Sequence, residues 1–304
     1  MKVLVSGSTG LIGSRLVDSL RGSKATVVRL VRPRTKAPPG ERTIEWDVEQ
    51  GRLDRESLAS EGPFDAVVHL AGENIGSGRW SEAKKRAIRD SRVQGTRLLA
   101  EALASVEPPR VLVSGSAIGY YGDRGDELLT EASPPGEGFL PQVCKEWEAA
   151  TAPLESGTTR VVHLRTGLVL SGSGGALPRM LLPFRLGVGG KVGSGRQHVS
   201  WITVDDIARV IEHAIAHEEL RGPVNGVAPN PVTNAELTKA LGRVLRRPTI
   251  FPAPAFALRL VLGEMADALL LSSARVAPGE LERSGYRFEH PMLEEALRHV
   301  LGRG

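Results

Sequence analysis

The chain has 304 residues, 41% of them hydrophobic and 24% charged, with 35 glycines and 20 prolines. That balance excludes a disordered chain, a collagen and a disulfide-stapled secreted module, and the length is enough to bury a core. The formal charge of +4, at a sequence pI near 9.4, sits on scattered cations such as Lys84-Lys85-Arg86 and Arg246-Arg247 in helical contexts, and aromatic residues make up 4%, too few to interleave with them as a nucleic-acid groove requires.

The chain opens on Met1-Lys2-Val3-Leu4-Val5 and runs straight into Ser6-Gly7. No cationic stretch precedes an apolar segment, so no signal peptide is expected. No run reaches the ~18 apolar residues of a membrane span. A single cysteine, Cys144, fits a reducing cytoplasm.

Short β-branched runs alternate with helical patterns through the first two thirds. A strand over Val3–Val5 precedes a helix from about Leu11 to Leu20. Strands follow at Thr26–Val31, Thr43–Trp46 and Ala66–Ala71, then a helix from about Ser81 to Leu103, then strands at Val111–Ser114 and Val161–Arg165. Apolar strands alternating with helices predict an α/β fold, a doubly wound parallel sheet covered on both faces. After Gly167 glycine-rich punctuation begins, followed by a strand at His198–Ile202, a helix over about Val204 to His217 and a strand at Val224–Ala228. From Pro229 the pattern is mostly helical, with prolines as breaks. The expected organisation is a Rossmann-like unit over residues 1–228 and a small, mostly helical unit over residues 229–304, with residues 171–197 contributing to the substrate side.

The strongest motif is Gly7-Ser8-Thr9-Gly10-Leu11-Ile12-Gly13, between a strand and a helix. Its first glycine permits the tight turn, its second lets backbone approach a pyrophosphate, and its third lets helix and strand pack closely. The phosphates then meet the free N–H groups of the helix N-terminus. An NAD site needs an acid about 20 residues on to bond the ribose 2′-hydroxyl. That window reads Val28-Arg29-Leu30-Val31-Arg32-Pro33-Arg34-Thr35-Lys36, with cations and no acid. A guanidinium there suits a 2′-phosphate. The expected cofactor is NADP(H), read by Arg32 with Arg34 or Lys36 in support.

The glycine motif, Leu70-Ala71-Gly72 and Ser114-Gly115-Ser116-Ala117-Ile118-Gly119-Tyr120-Tyr121-Gly122 together resemble an extended short-chain dehydrogenase/reductase over most of residues 1–228. Ala71-Gly72-Glu73-Asn74-Ile75, Leu182-Pro183-Phe184-Arg185-Leu186-Gly187, Asn225-Gly226-Val227-Ala228-Pro229 and Thr233-Asn234-Ala235-Glu236 narrow the resemblance to the atypical subgroup called "epimerase family protein", which ends in a domain of unknown function. The resemblance implies that Gly7, Thr9, Gly10, Leu11, Ile12 and Gly13 surround the pyrophosphate. It puts Asp47 near the adenine amine, Leu70 and Ala71 at the ribose, and Arg165 to Val169 near the nicotinamide. Gly72, Arg92 and Ser114 complete the cofactor side.

Dehydrogenases of this superfamily pair a tyrosine with a lysine four residues later, whose cation lowers the phenol pKa. Four residues beyond Tyr120, Tyr121 and Tyr286 stand Arg124, Gly125 and His290, so the pair is absent. On the helix where it should fall, one alignment puts Leu140 in the tyrosine place and Cys144 in the lysine place, as is frequent in the atypical subgroup. A shift by one gives Pro141 and Lys145. The upstream serine is Ser116, and the helical asparagine of relatives corresponds to Arg92. Tyr120 or Tyr121 could reach a substrate carbonyl, and Cys144 could shuttle a proton if Arg92 lowered its pKa. Ser116, Tyr121 and Cys144 are therefore the catalytic candidates. His69 reads as a satisfied core residue and Asp206 as a helix cap, and the seven histidines form no metal cluster. Two functions fit: an NADP-dependent oxidoreductase or epimerase-like enzyme acting on a small carbonyl or hydroxyl compound, or an NADPH-binding sensor without turnover. A monomer or homodimer is expected, with neither nucleic acid nor membrane as partner.

Overall fold

The computed structural model describes residues 1–33, 35, 40–155 and 157–303. In chain order β1 (Lys2–Ser6), α1 (Leu11–Gly22), β2 (Thr26–Val31), β3 (Arg42–Asp47), β4 (Arg52–Leu53), α2 (Arg55–Glu61), β5 (Ala66–His69), α3 (Glu82–Ala104) and β6 (Val111–Ala117) form the first half. A single turn over Ile118–Tyr121 leads to β7 (Leu128–Leu129), α4 (Phe139–Ala149), α5 (Ala152–Glu155), β8 (Arg160–Thr166), β9 (Leu168–Leu170) and α6 (Leu177–Arg185). Then come β10 (His198–Val199), β11 (Trp201–Thr203), α7 (Val204–Ala216), β12 (Gly222–Gly226), β13 (Val232–Thr233), α8 (Asn234–Leu245), α9 (Ala255–Leu262), α10 (Glu264–Ala266), β14 (Arg275–Val276), α11 (Gly279–Arg283) and α12 (Leu293–Val300).

Eight strands make one sheet in the order β12-β8-β6-β5-β1-β2-β3-β4, parallel throughout except for the short β3–β4 edge pair. This is the doubly wound α/β fold expected from the alternation, with an apolar core on each face. One core joins Val3, Val5, Leu16 and Leu20 to Ile207 and Ile211 of α7; the other joins Leu4, Leu30 and Ile44 to Leu99 and Leu103 of α3. The strand order reverses between β1 and β5, which opens the crevice where such folds bind ligands. Three expected strands differ. Pairing of β5 stops at His69, β12 runs over Gly222–Gly226, and the expected His198–Ile202 strand is broken at Ser200. The break has a cause: β10 pairs with β13 while β11 pairs with β9, so the two pieces serve different partners.

The C-terminal residues interleave with the sheet unit. A third core joins Leu177 and Leu181 of α6 to Leu237 and Leu241 of α8, Ala296 and Leu297 of α12, and Trp201. β14 pairs with β7, and Leu281 and Tyr286 enter the sheet core. Among the described residues no helix is long and apolar enough to cross a membrane.

Two buried polar groups fix this arrangement. Thr203 caps α7 by accepting from the Asp206 N–H, and Asp206, fully buried, reaches the other way. Its carboxylate accepts from the Tyr286 hydroxyl at 3.2 Å, the Glu289 N–H at 2.9 Å and the His290 N–H at 3.0 Å. The expected cap residue therefore clamps residues 286–290 to the start of α7. At the end of β5, Ser6 Oγ accepts the N–H groups of Leu70 (3.1 Å) and Ala71 (3.3 Å) and lies 2.6 Å from His69 Nδ1. Its hydroxyl hydrogen is thus left for Nδ1, and His69 is a neutral imidazole. Its Nε2 has no partner, so His69 is only half satisfied. Burial pushes its pKa down to about 4.

Replacing Asp206 with Ala strips the Glu289 and His290 N–H groups of their acceptor and leaves the Tyr286 phenol only the residue-206 carbonyl. Urea melts followed by circular dichroism should show a loss of about 3 kcal/mol, and a loss below about 1 kcal/mol would contradict the clamp. His69 contributes stability that is fully present above its unfolded pKa of about 6.5. Between there and about pH 4 the unfolded chain binds a proton that the fold refuses, so stability falls with pH, on the order of 3 kcal/mol in total. The variant His69→Asn should flatten that limb of the stability–pH curve, and an unchanged slope would remove the assignment.

Candidate functional site

The crevice is built on the turn between β1 and α1. Gly7 has φ of +66°, the left-handed region that favours glycine. A Cβ there would lie 2.7 Å from the Leu70 carbonyl carbon and 2.8 Å from the Ala71 nitrogen. Gly13 is equally constrained, since a Cβ on it would strike the Gly7 carbonyl oxygen. The turn is thus pressed between α1 and the segment after β5. Gly10 caps α1 with no side-chain hydrogen bond to the first turn. The leading N–H groups of Leu11, Ile12 and Gly13 therefore have no side-chain acceptor, as an anion-binding turn requires. Thr9, Gly10 and Gly72 are exposed, and Leu11, Ile12, Leu70, Ala71 and Val169 are half-buried around them. These residues fit a dinucleotide pyrophosphate.

At the end of β2 Arg32 is exposed, and among the described residues no carboxylate pairs with it. Arg34 and Lys36, its expected supports, lie outside the described residues. Arg29, three residues earlier, is committed elsewhere: it pairs with Glu41 and donates to Ser8 Oγ at 2.8 Å. Asp47 is half-buried, with one carboxylate oxygen accepting the Gln50 N–H. Ser114 needs correction as a cofactor residue. It is fully buried within β6, and its hydroxyl meets only the Gly115 carbonyl, at 3.5 Å.

Arg92 reaches from α3 to the crevice floor. One of its nitrogens donates to the Glu73 and Ile88 carbonyls, both at 3.0 Å, and its guanidinium lies beside Gly72 and 5.0 Å over the Trp147 ring. Burial lowers its pKa, against the attraction of Cys144 and Glu73.

Cys144 also needs correction. Its thiol is buried, 3.8 Å from the Ala117 carbonyl. Burial and then Glu148 push its pKa up to about 12, and the nearby Arg92 charge does not reverse this. The thiol is a packed apolar group, not a proton shuttle. Leu140, the residue in the tyrosine place, packs against Gly119 at the entrance to the turn after β6.

Tyr121 is the third correction. It has no exposed surface. Its hydroxyl donates to Asn225 Oδ1 at 2.7 Å and accepts from Arg165 at 3.1 Å. Burial raises its pKa, with Arg165 and Asn225 opposing. Tyr121 ties β6 to β12 and faces no crevice. Its neighbour Tyr120 is half-buried, with the Arg165 guanidinium 3.5 Å from its ring centroid.

Sequence reasoning assigned no role to Glu148 and put Arg165 only near the nicotinamide. Arg165, only 3% exposed, donates to both carboxylate oxygens of Glu148 at 2.8 Å. Burial works against its charge, and the bonds and attraction of Glu148 more than restore it, so its pKa is raised. Ser116 donates to Glu148 Oε1 at 2.7 Å and keeps 5% of its surface, against none for Ser114. The available signal was spacing: Glu148 stands one helical turn beyond Cys144, on the same face of α4.

Residues 3–225 match the NAD dependent epimerase/dehydratase family, and residues 253–300 match a domain of unknown function, DUF1731. The chain is 44% identical over 301 residues to the epimerase family protein Mb2239 of Mycobacterium bovis, covering 99% of this chain and 98% of that one. It is 38% identical over 309 residues to the human epimerase family protein SDR39U1, covering 99% and 100%. The crystal structure of human SDR39U1 (isoform2) with NADPH superimposes with a TM-score of 0.89 at 36% identity, over 99% of both chains. With its glycine turn, parallel sheet and DUF1731 segment, the chain belongs to the NAD dependent epimerase/dehydratase family, within the short-chain dehydrogenase/reductase superfamily.

Proposed function

We propose that the chain is an NADP(H)-dependent oxidoreductase acting on a small carbonyl or hydroxyl compound. The observation that carries the cofactor choice is Arg32, exposed at the end of β2 and unpaired by any described carboxylate, where an NAD site would hold an acid. The human relative's structure with NADPH supports the same reading. The bound nicotinamide would supply the hydride donor or acceptor. The chain's own residues do the rest. The glycine turn and the open N-terminus of α1 hold the pyrophosphate, and Arg32 grips the 2′-phosphate. Arg92 keeps a buried cation beside Cys144, which stands where relatives place the lysine. Ser116 meets the substrate oxygen at the crevice floor.

A second reading, an NADPH-binding sensor without turnover, draws on Leu140 and Cys144 standing in the places of the tyrosine and lysine. NADPH consumption against a panel of aldehydes, ketones and quinones separates the two. Turnover supports the enzyme, whereas tight NADPH binding with no turnover supports the sensor. Fluorescence titration should give tighter binding of NADPH than NADH. The variant Arg32→Ala should weaken NADPH about tenfold or more while leaving NADH nearly unchanged. Equal affinities in the parent chain would overturn the NADP(H) assignment.

A further inference from the structure

Beneath the crevice runs a chain of hydrogen bonds whose directions are set by Arg165. Arg165 has no acceptor, so it donates at every contact. It donates to Glu148 through two nitrogens and to the Tyr121 oxygen through the third. Tyr121 then donates to Asn225 Oδ1, and Asn225 Nδ2 donates to the Ala277 carbonyl at 2.9 Å. On the other side Glu148, a carboxylate paired to a buried guanidinium, can only accept. The Ser116 hydroxyl hydrogen is therefore drawn to Glu148 Oε1, 2.7 Å away.

We propose that Glu148, held by Arg165, is a positioning residue that fixes the polarity of Ser116, so that Ser116 Oγ faces the crevice as a hydrogen-bond acceptor and selects ligands presenting a hydroxyl donor. The inference rests on the oxidoreductase reading only in placing Ser116 at the substrate oxygen. With its one hydrogen engaged, Ser116 offers lone pairs to the ligand. A ligand O–H is satisfied there, whereas a bare carbonyl oxygen meets another acceptor and loses its hydrogen bonds to water without replacement. The site so described prefers the alcohol member of an alcohol/ketone pair.

The variant Glu148→Gln offers a sharp test. The Glu148 carboxylate serves three donors, with Arg165 Nε and Ser116 sharing Oε1 and a second Arg165 nitrogen on Oε2. A glutamine amide has one acceptor oxygen, and its NH2 opposes an Arg165 N–H in either orientation, so the Ser116 hydroxyl loses its single fixed polarity. The preference should fall toward one.

The probes are 1-(4-fluorophenyl)ethanol and 4-fluoroacetophenone, titrated into the full chain with NADP+ and followed by fluorine NMR. The parent chain should bind the alcohol about fivefold or more tightly than the ketone. Glu148→Gln should bring the ratio toward one. Ser116→Ala, which leaves the Glu148–Arg165 pair intact, should bring the ratio near one. Glu148→Asp keeps the charge on Arg165 but draws it away from Ser116, and should relax the preference, so these two variants decide the matter if Glu148→Gln fails to fold. A parent chain that binds neither probe or favours the ketone would overturn the proposal, as would a Ser116→Ala ratio matching the parent's. Ketone appearing from the alcohol reads hydride transfer separately. Preference without conversion leaves this proposal standing and the oxidoreductase reading to the carbonyl panel, and conversion without preference overturns this proposal while supporting that reading.

Discussion

The ion pair between Glu148 and Arg165 sits where the parts of this molecule converge. It joins α4 to β8, arms Ser116 at the end of β6, stacks under Tyr120, and through Tyr121 reaches Asn225 on β12. A buried ion pair is weak evidence for stability, because desolvation consumes much of its attraction. Breaking one is another matter and costs about 3–5 kcal/mol, since the survivor is left charged and unpaired. The pair is best understood as a constraint. It sets which groups around the crevice floor are donors and which are acceptors.

That constraint stands beside a missing tyrosine and lysine. In relatives a phenol and a cation on one helix handle the substrate oxygen. Here the corresponding positions hold Leu140 and Cys144, both packed as apolar groups. Charged groups stand one turn along the same helix, at Glu148, and one strand over, at Arg165. The tyrosine that remains nearby has become part of the scaffold.

The sheet and the nucleotide turn were legible in the sequence because their causes are local. Strand periodicity lies within a few residues, and Gly7 and Gly13 answer to close approaches that the spacing itself implies. Arg32, read from its fixed distance to that turn, stands exposed at the end of β2. Tyr121 was not legible. Its burial depends on Asn225, 104 residues away, and Arg165, 44 residues away. Ser114 and Ser116 look alike in sequence, and only their position along β6 decides which one keeps an exposed edge. Two-residue strands such as β7 and β14 fall below any periodic signal, since each exists only because the other is there.

The Asp206 clamp bears on how the chain comes into being. The carboxylate is placed by α7 and takes the Thr203 hydroxyl locally, yet its other three donors belong to residues 286–290, 80 to 84 residues on. During synthesis the sheet can assemble while those donors are still inside the ribosome. Until they emerge, the side of α7 that they cover stays open to water, and the nascent chain carries a hydrated acid in the middle of what will become its core. That side of the fold is therefore completed only once residues 286–290 are made, and a chain cut short before them exposes an apolar surface interrupted by a charge.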